Sequence, residues 1–106
     1  MKQPFVYESC WFVRDASQRP NFLGWPVHMQ LQRPDGTWYT PEHTPGVLTD
    51  PATLKTTKCP LSPTAMSAVT VWTPRRAGTY RLRHVLVGKR GASNVESSEI
   101  VVLVVR

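Results

Sequence analysis

Acidic residues, cysteines and long apolar runs are all scarce in this chain, and each shortage excludes something. Its 106 residues hold 7 Asp plus Glu against 13 Lys plus Arg, a formal net charge of +6. That balance points toward acidic partners rather than basic ones. Two cysteines cannot staple a chain of this length in place of a core, so a disulfide-framework scaffold is excluded. The longest apolar run, Ile100 to Val105, is far short of the roughly 20 residues a membrane-spanning helix needs, and no such span is expected. Near the N-terminus Pro4 and Glu8 interrupt what would have to be the apolar centre of a secretory signal, so none is expected. Synthesis in a reducing cytosol follows as the expectation. There thiols are more often free than bridged, and nothing local brings Cys10 near Cys59, so both are expected as free thiols. The ends, Met1 and Arg106, are expected to be tied against a sheet or a neighbouring chain.

Reactive constellations are equally thin. His28, His43, His84, Cys10 and Cys59 do not share the short spacings of structural zinc sites. Nucleophile elbows, phosphate-cradling glycine loops and paired helical histidines are missing, and no two carboxylates read as an acid with its base. The expectation is a non-enzymatic protein without cofactor or metal. His84 shares a strand face with Tyr80, Leu82 and Leu86, which suits a hydrogen-bonded core or rim histidine better than a ligand. His43, among prolines, is expected in solvent.

Prolines, β-branched residues and aromatics are plentiful. Ten prolines cut the chain into pieces too short for most helices, and apolar residues recur at period two. The fold class expected is all-β, an immunoglobulin-like antiparallel β-sandwich of six to seven strands, with residues 1–106 as one domain. Phe5 to Arg14 reads as a strand covered by the core on one side and a partner on the other. Val27, Met29 and Leu31 alternate with His28, Gln30 and Gln32, and Pro34-Asp35-Gly36 turns the chain into Thr37 to Thr40, a hairpin. Thr40 to Pro63 reads as a wandering connection with one short edge strand at Leu54 to Lys58. Ala68 to Thr73, Thr79 to Val87 and Glu99 to Val105 complete the strands.

Charge and aromatics supply the candidate surfaces. Arg75, Arg76, Arg81, Arg83, Lys89 and Arg90 fall in one window without a single Asp or Glu. Alternate residues of a strand share a face, so Arg81 and Arg83 project together and the flanking turns add the other four. The result is a basic stripe, read either as a contact for an acidic surface or as a solvated strand face. The stripe lacks the interleaved exposed aromatics on which single-strand binders stack bases. Trp72 is expected in the core and Trp38 at core or rim. Trp11, Phe22 and Trp25 form a candidate aromatic interface, the alternative being a large core under the loop from Asp15 to Pro26.

The corner Ala77-Gly78-Thr79-Tyr80-Arg81-Leu82 resembles the tyrosine corner of immunoglobulin-like and fibronectin type III-like sandwiches, with Gly78 and Tyr80 as its structural pair. Together with Val27 to Gln32, Gly36-Thr37-Trp38 and Val71 to Pro74, it is similar to the C-terminal sandwich of neutral ceramidases over about residues 27 to 105. The ceramidase catalytic domain, with its metal ligands and nucleophile, has no counterpart here, so the resemblance implies a non-catalytic accessory module. The chain also resembles small immunoglobulin-like structural proteins of phage virions. Two functions are therefore expected. One is a structural or interaction protein docking on other protein subunits or on its own copies, with incorporation into a virion. The other is an accessory sandwich binding an acidic partner, a substrate surface or nucleic acid.

Overall fold

The computed structural model of the chain describes residues 4–41 and 46–105. Strand β1 (Phe5–Phe12) leads into a 3-10 turn (Ala16–Gln18) and one turn of helix, α1 (Arg19–Phe22). Then come β2 (Pro26–Gln32), β3 (Trp38–Tyr39), β4 (Gly46–Val47), β5 (Ala65–Trp72), β6 (Gly78–Leu86), β7 (Val95–Glu96) and β8 (Ile100–Val104). The chain is mostly β, in antiparallel sheets. No helix among the described residues is long and apolar enough to cross a membrane. His43, Met1 and Arg106 lie outside the described residues.

Two sheets face each other. The first pairs β1 with β5 along their full lengths, from Phe5 opposite Trp72 to Phe12 opposite Ala65. The second runs β3-β2-β6-β7, with β4 also on β2 and β8 also on β6. β8 follows the first half of β6, Val104 opposite Gly78 and Ile100 opposite Leu82, while β7 pairs the second half. β4 leaves β2 and turns at once toward the other sheet, where Thr49 bridges Ser67. A Cβ on Gly46 would lie 2.5 Å from the Val69 carbonyl oxygen, so only glycine lets the two sheets join there.

The period-two pattern explains the packing. Val27, Met29 and Leu31 of β2 are buried while their neighbours are half-exposed, as alternation requires. One core cluster holds Tyr7, Met29, Leu31, Trp72 and Leu82; a second holds Val27, Leu48, Met66, Ala68 and Leu86. Each takes residues from both sheets. Phe5 and Val104 both pack against the first cluster, so the start of β1 and the end of β8 lie at the same end of the sandwich-like body. Trp72 is in the core as expected, and the β2 to β3 hairpin closes on Asp35, whose carboxylate accepts the Thr37 N–H at 2.9 Å.

Two expectations are corrected. Leu54 to Lys58 is not a strand; the segment after the Pro51–Thr53 3-10 turn lies across the outer face of β1 instead. The reason is Glu8, whose carboxylate accepts the Lys58 N–H at 2.8 Å together with the Thr57 and Ser67 hydroxyls. Its own burial pushes the Glu8 carboxyl up, but the bonds from Ser67, Thr57 and Lys58 and the Lys58 charge outweigh that and hold it below its usual range. The second correction follows from the first. With residues 57 and 58 anchored on Glu8, Cys59 meets Cys10 at a Cα separation of 5.6 Å, and the two form a disulfide rather than free thiols. The outer side of β1 is thus covered in part by the chain itself, where a partner was expected.

Candidate functional site

β6 carries the candidate surfaces on its two faces and at its two ends. Facing inward, His84 is fully buried between the two core clusters. Its Nε2 lies 2.8 Å from the Thr70 hydroxyl, its Nδ1 meets the Ser9 hydroxyl, and its ring stacks on Tyr7 at 4.0 Å between centroids. Burial pulls its pKa down from 6.5 to about 4, so the ring is neutral near pH 7. Burial likewise raises the Tyr7 hydroxyl, against an opposing bond from Ser97. A serine on an imidazole is also how a nucleophile meets its base. Here, however, the second ring nitrogen is bonded to a threonine rather than to an orienting carboxylate, and Trp11 Nε1 donates to the same Ser9 oxygen at 2.8 Å. The cluster ties β1 and β5 to β6. Among the described residues no group of His, Cys, Asp and Glu is arranged to hold a metal ion.

Facing outward, Arg81 and Arg83 project together, but each has an acid from the neighbouring segment. Arg81 lies 3.5 Å from Glu99 in a pair open to water, and the half-buried Arg83 lies 4.0 Å from the more exposed Glu96. Arg83 also donates to Gln30 at 2.9 Å and covers the Trp38 ring at 4.3 Å. The middle of the basic stripe is therefore largely neutralised, and Trp38 is a half-buried aromatic at its centre that the window from 75 to 90 does not contain. Lys89 and Arg90 sit in the turn at the far end of β6, exposed, with Arg90 at φ 56. The fold separates them from Arg75 and Arg76 by the whole length of the strand.

At the near end, Gly78 and Tyr80 stand at the start of β6. The Tyr80 hydroxyl donates to the Arg76 carbonyl at 2.8 Å, and its half-buried ring meets Trp72 edge-on at 4.9 Å. Gly78 has φ 152, a backbone that side chains rarely adopt. Beside the corner opens a cleft of about 410 Å³, lined chiefly by Leu31, Tyr39, Trp72, Arg75, Arg76 and Tyr80. Arg33 lies over the Tyr39 ring at 4.5 Å. Sequence reading singled out Arg75 and Arg76 but missed Arg33, Tyr39 and the cleft, because β3 reaches them only through the sheet.

Trp11, Phe22 and Trp25 are half-buried and pack on the second core cluster, Phe22 and Trp25 in ring contact at 4.9 Å. Each thus keeps part of its surface in water. No protein-family model, curated protein or solved structure matches the chain.

One surface carries no sequence flag at all. β8 is paired only with β6, and its outer edge is open among the described residues. On the sheet's outer face Val101, Leu103 and Val105 are 58%, 70% and 78% exposed. Sheet edges in soluble proteins are normally blunted by lysine, proline or a cover, and this five-residue strand has none of these.

Proposed function

We propose that the chain is a non-enzymatic structural or interaction protein, an immunoglobulin-like module that docks onto other subunits of an assembly such as a phage virion, as capsid decoration or a tail component. The observation that carries this reading is the apolar open edge of β8. A strand with Val101 and Leu103 in water, and Val105 exposed just beyond it, is an aggregation hazard unless another chain covers it. The immunoglobulin-like part of the reading draws support from the pairing of β1 with β5 against β2-β6-β8, and from the Tyr80 corner. The Cys10–Cys59 bridge suits an assembly whose surface meets oxidising surroundings, which shifts the expected place of action away from the reducing cytosol.

An accessory sandwich for an acidic partner is the second reading, favoured by Arg75 and Arg76, which no carboxylate pairs among the described residues. Nucleic acid has less in its favour, since Glu96 and Glu99 already face the strand arginines. Leu103→Glu tests the docking reading. The side chain is exposed, so the variant should fold as the parent does. In size-fractionated extracts of the native source the parent chain should travel with a large particle and the variant should be recovered free. A parent chain found only as a free monomer refutes the reading.

A further inference from the structure

The corner cleft joins an apolar floor to an arginine rim. Its floor is apolar, with Leu31 and Trp72 both nearly inaccessible to water beneath it. Its rim is cationic, with Arg75 and Arg76 exposed on the turn; Arg33, outside the lining, lies over the Tyr39 ring and donates to the Thr37 hydroxyl. Arg19, Arg81 and Arg83 each have a carboxylate within 4.0 Å, whereas Arg33, Arg75 and Arg76 have none among the described residues. Asp35 lies near Arg33 in the turn, but its carboxylate is engaged by the Thr37 N–H and hydroxyl. The turn bearing Arg75 and Arg76 is also held in place, since Tyr80 bonds the Arg76 carbonyl directly. A turn whose backbone is fixed before binding has only its side chains left to order.

We propose that this cleft binds an acidic segment of a partner protein, seating one apolar side chain over Leu31 and Trp72 while flanking carboxylates meet Arg75 and Arg76. The proposal rests on the docking reading above and gives it a partner chemistry. Charge complementarity selects the occupant: guanidinium forks match carboxylates in pairs, and the cleft's volume fits a side chain rather than a helix. Nucleobases fit poorly. They need open ring faces, but Arg33 covers a face of Tyr39 and the Tyr80 ring is engaged edge-on by Trp72.

The probe is a short fluorescent peptide with one leucine between aspartates and glutamates, followed by anisotropy. The same peptide with asparagine and glutamine in place of the acids is the control, and an oligothymidylate is the nucleic-acid arm. Two variants separate charge from shape. Arg75→Ser with Arg76→Ser removes the rim, and Thr73→Trp fills the cleft from an exposed position on its wall without altering charge. Both should fold with an unchanged melting temperature. Each should weaken the acidic peptide by about tenfold or more, while the control peptide fails to bind and Leu103→Glu binds as the parent does. The cleft assignment is overturned if the acidic peptide does not bind, if either variant binds it as tightly as the parent, or if oligothymidylate binds equally well. Failure there, with association still sensitive to Leu103→Glu, removes the cleft and leaves the docking reading. Association indifferent to Leu103→Glu removes the docking reading whatever the peptide does.

Discussion

Among the described residues, one buried histidine should make this protein sensitive to acid. His84 is buried with both ring nitrogens bonded to hydroxyls, and its pKa lies near 4 in the folded chain against 6.5 for a free imidazole. Because the folded value is depressed, the unfolded chain binds the proton first. The stability His84 contributes is therefore complete above about pH 6.5 and is lost as pH falls toward 4. A shift of that size corresponds to ~3 kcal/mol in all, of which ~2 kcal/mol is gone by pH 5. Against a total stability of about 5–15 kcal/mol for a domain, that is a large loss. The groups facing the ring are Tyr7, Ser9 and Thr70, none of which changes charge in that window. Glu8, held below its usual range, adds its own loss only at lower pH. Urea unfolding at pH 7.5 and pH 5 measures the effect. His84→Gln should be less stable than the parent at pH 7.5 and should lose about 2 kcal/mol less between the two pH values. Equal losses in parent and variant, or an imidazole resonance of His84 titrating near pH 6.5 in the folded protein, would refute the reasoning.

Reduction of the Cys10–Cys59 bridge releases a loop with a sequence separation of 49 residues, for which chain entropy gives about 4 kcal/mol. Melting with and without dithiothreitol should show that loss, and an unchanged melting temperature would contradict it. Tyr80→Phe removes the donor to the Arg76 carbonyl while keeping the ring on Trp72. It should cost about 1 kcal/mol in a denaturant titration, and it should also loosen the arginine turn, seen as faster amide exchange at Arg75 and Arg76.

What was legible in the sequence was local. Alternation in Val27 to Gln32 needs only the pleat of one strand, and the Tyr80 corner needs only the bond from residue 80 back to residue 76. His84 was recognisable for the same reason, its face being shared with Leu82 and Leu86. The missed features all depend on pairing between distant segments. Cys59 reaches Cys10 because Glu8 gathers Thr57, Lys58 and Ser67, and no spacing rule encodes a carboxylate acting as a clip. Glu96 and Glu99 neutralise the strand arginines only because β7 and β8 lie beside β6. Trp38 reaches Arg83 only because β3 and β6 flank β2. A charge window counted along the chain sees neither.

The shared end of β1 and β8 bears on how the molecule responds to force. Phe5 and Val104 both pack at the Trp72 end, with Val104 opposite Gly78 as the last pair of the β6 to β8 ladder. Tension applied between those two points loads that terminal pair first and then each pair in succession, as in opening a zip. It does not load the whole ladder in shear. Each rung then carries the full force alone, and the Cys10–Cys59 bridge, on the opposite sheet, shields none of them. Pulled from both ends, β8 should peel from β6 at low force while the bridged part of β1 stays in place. A module held in its assembly through one end only is spared that load.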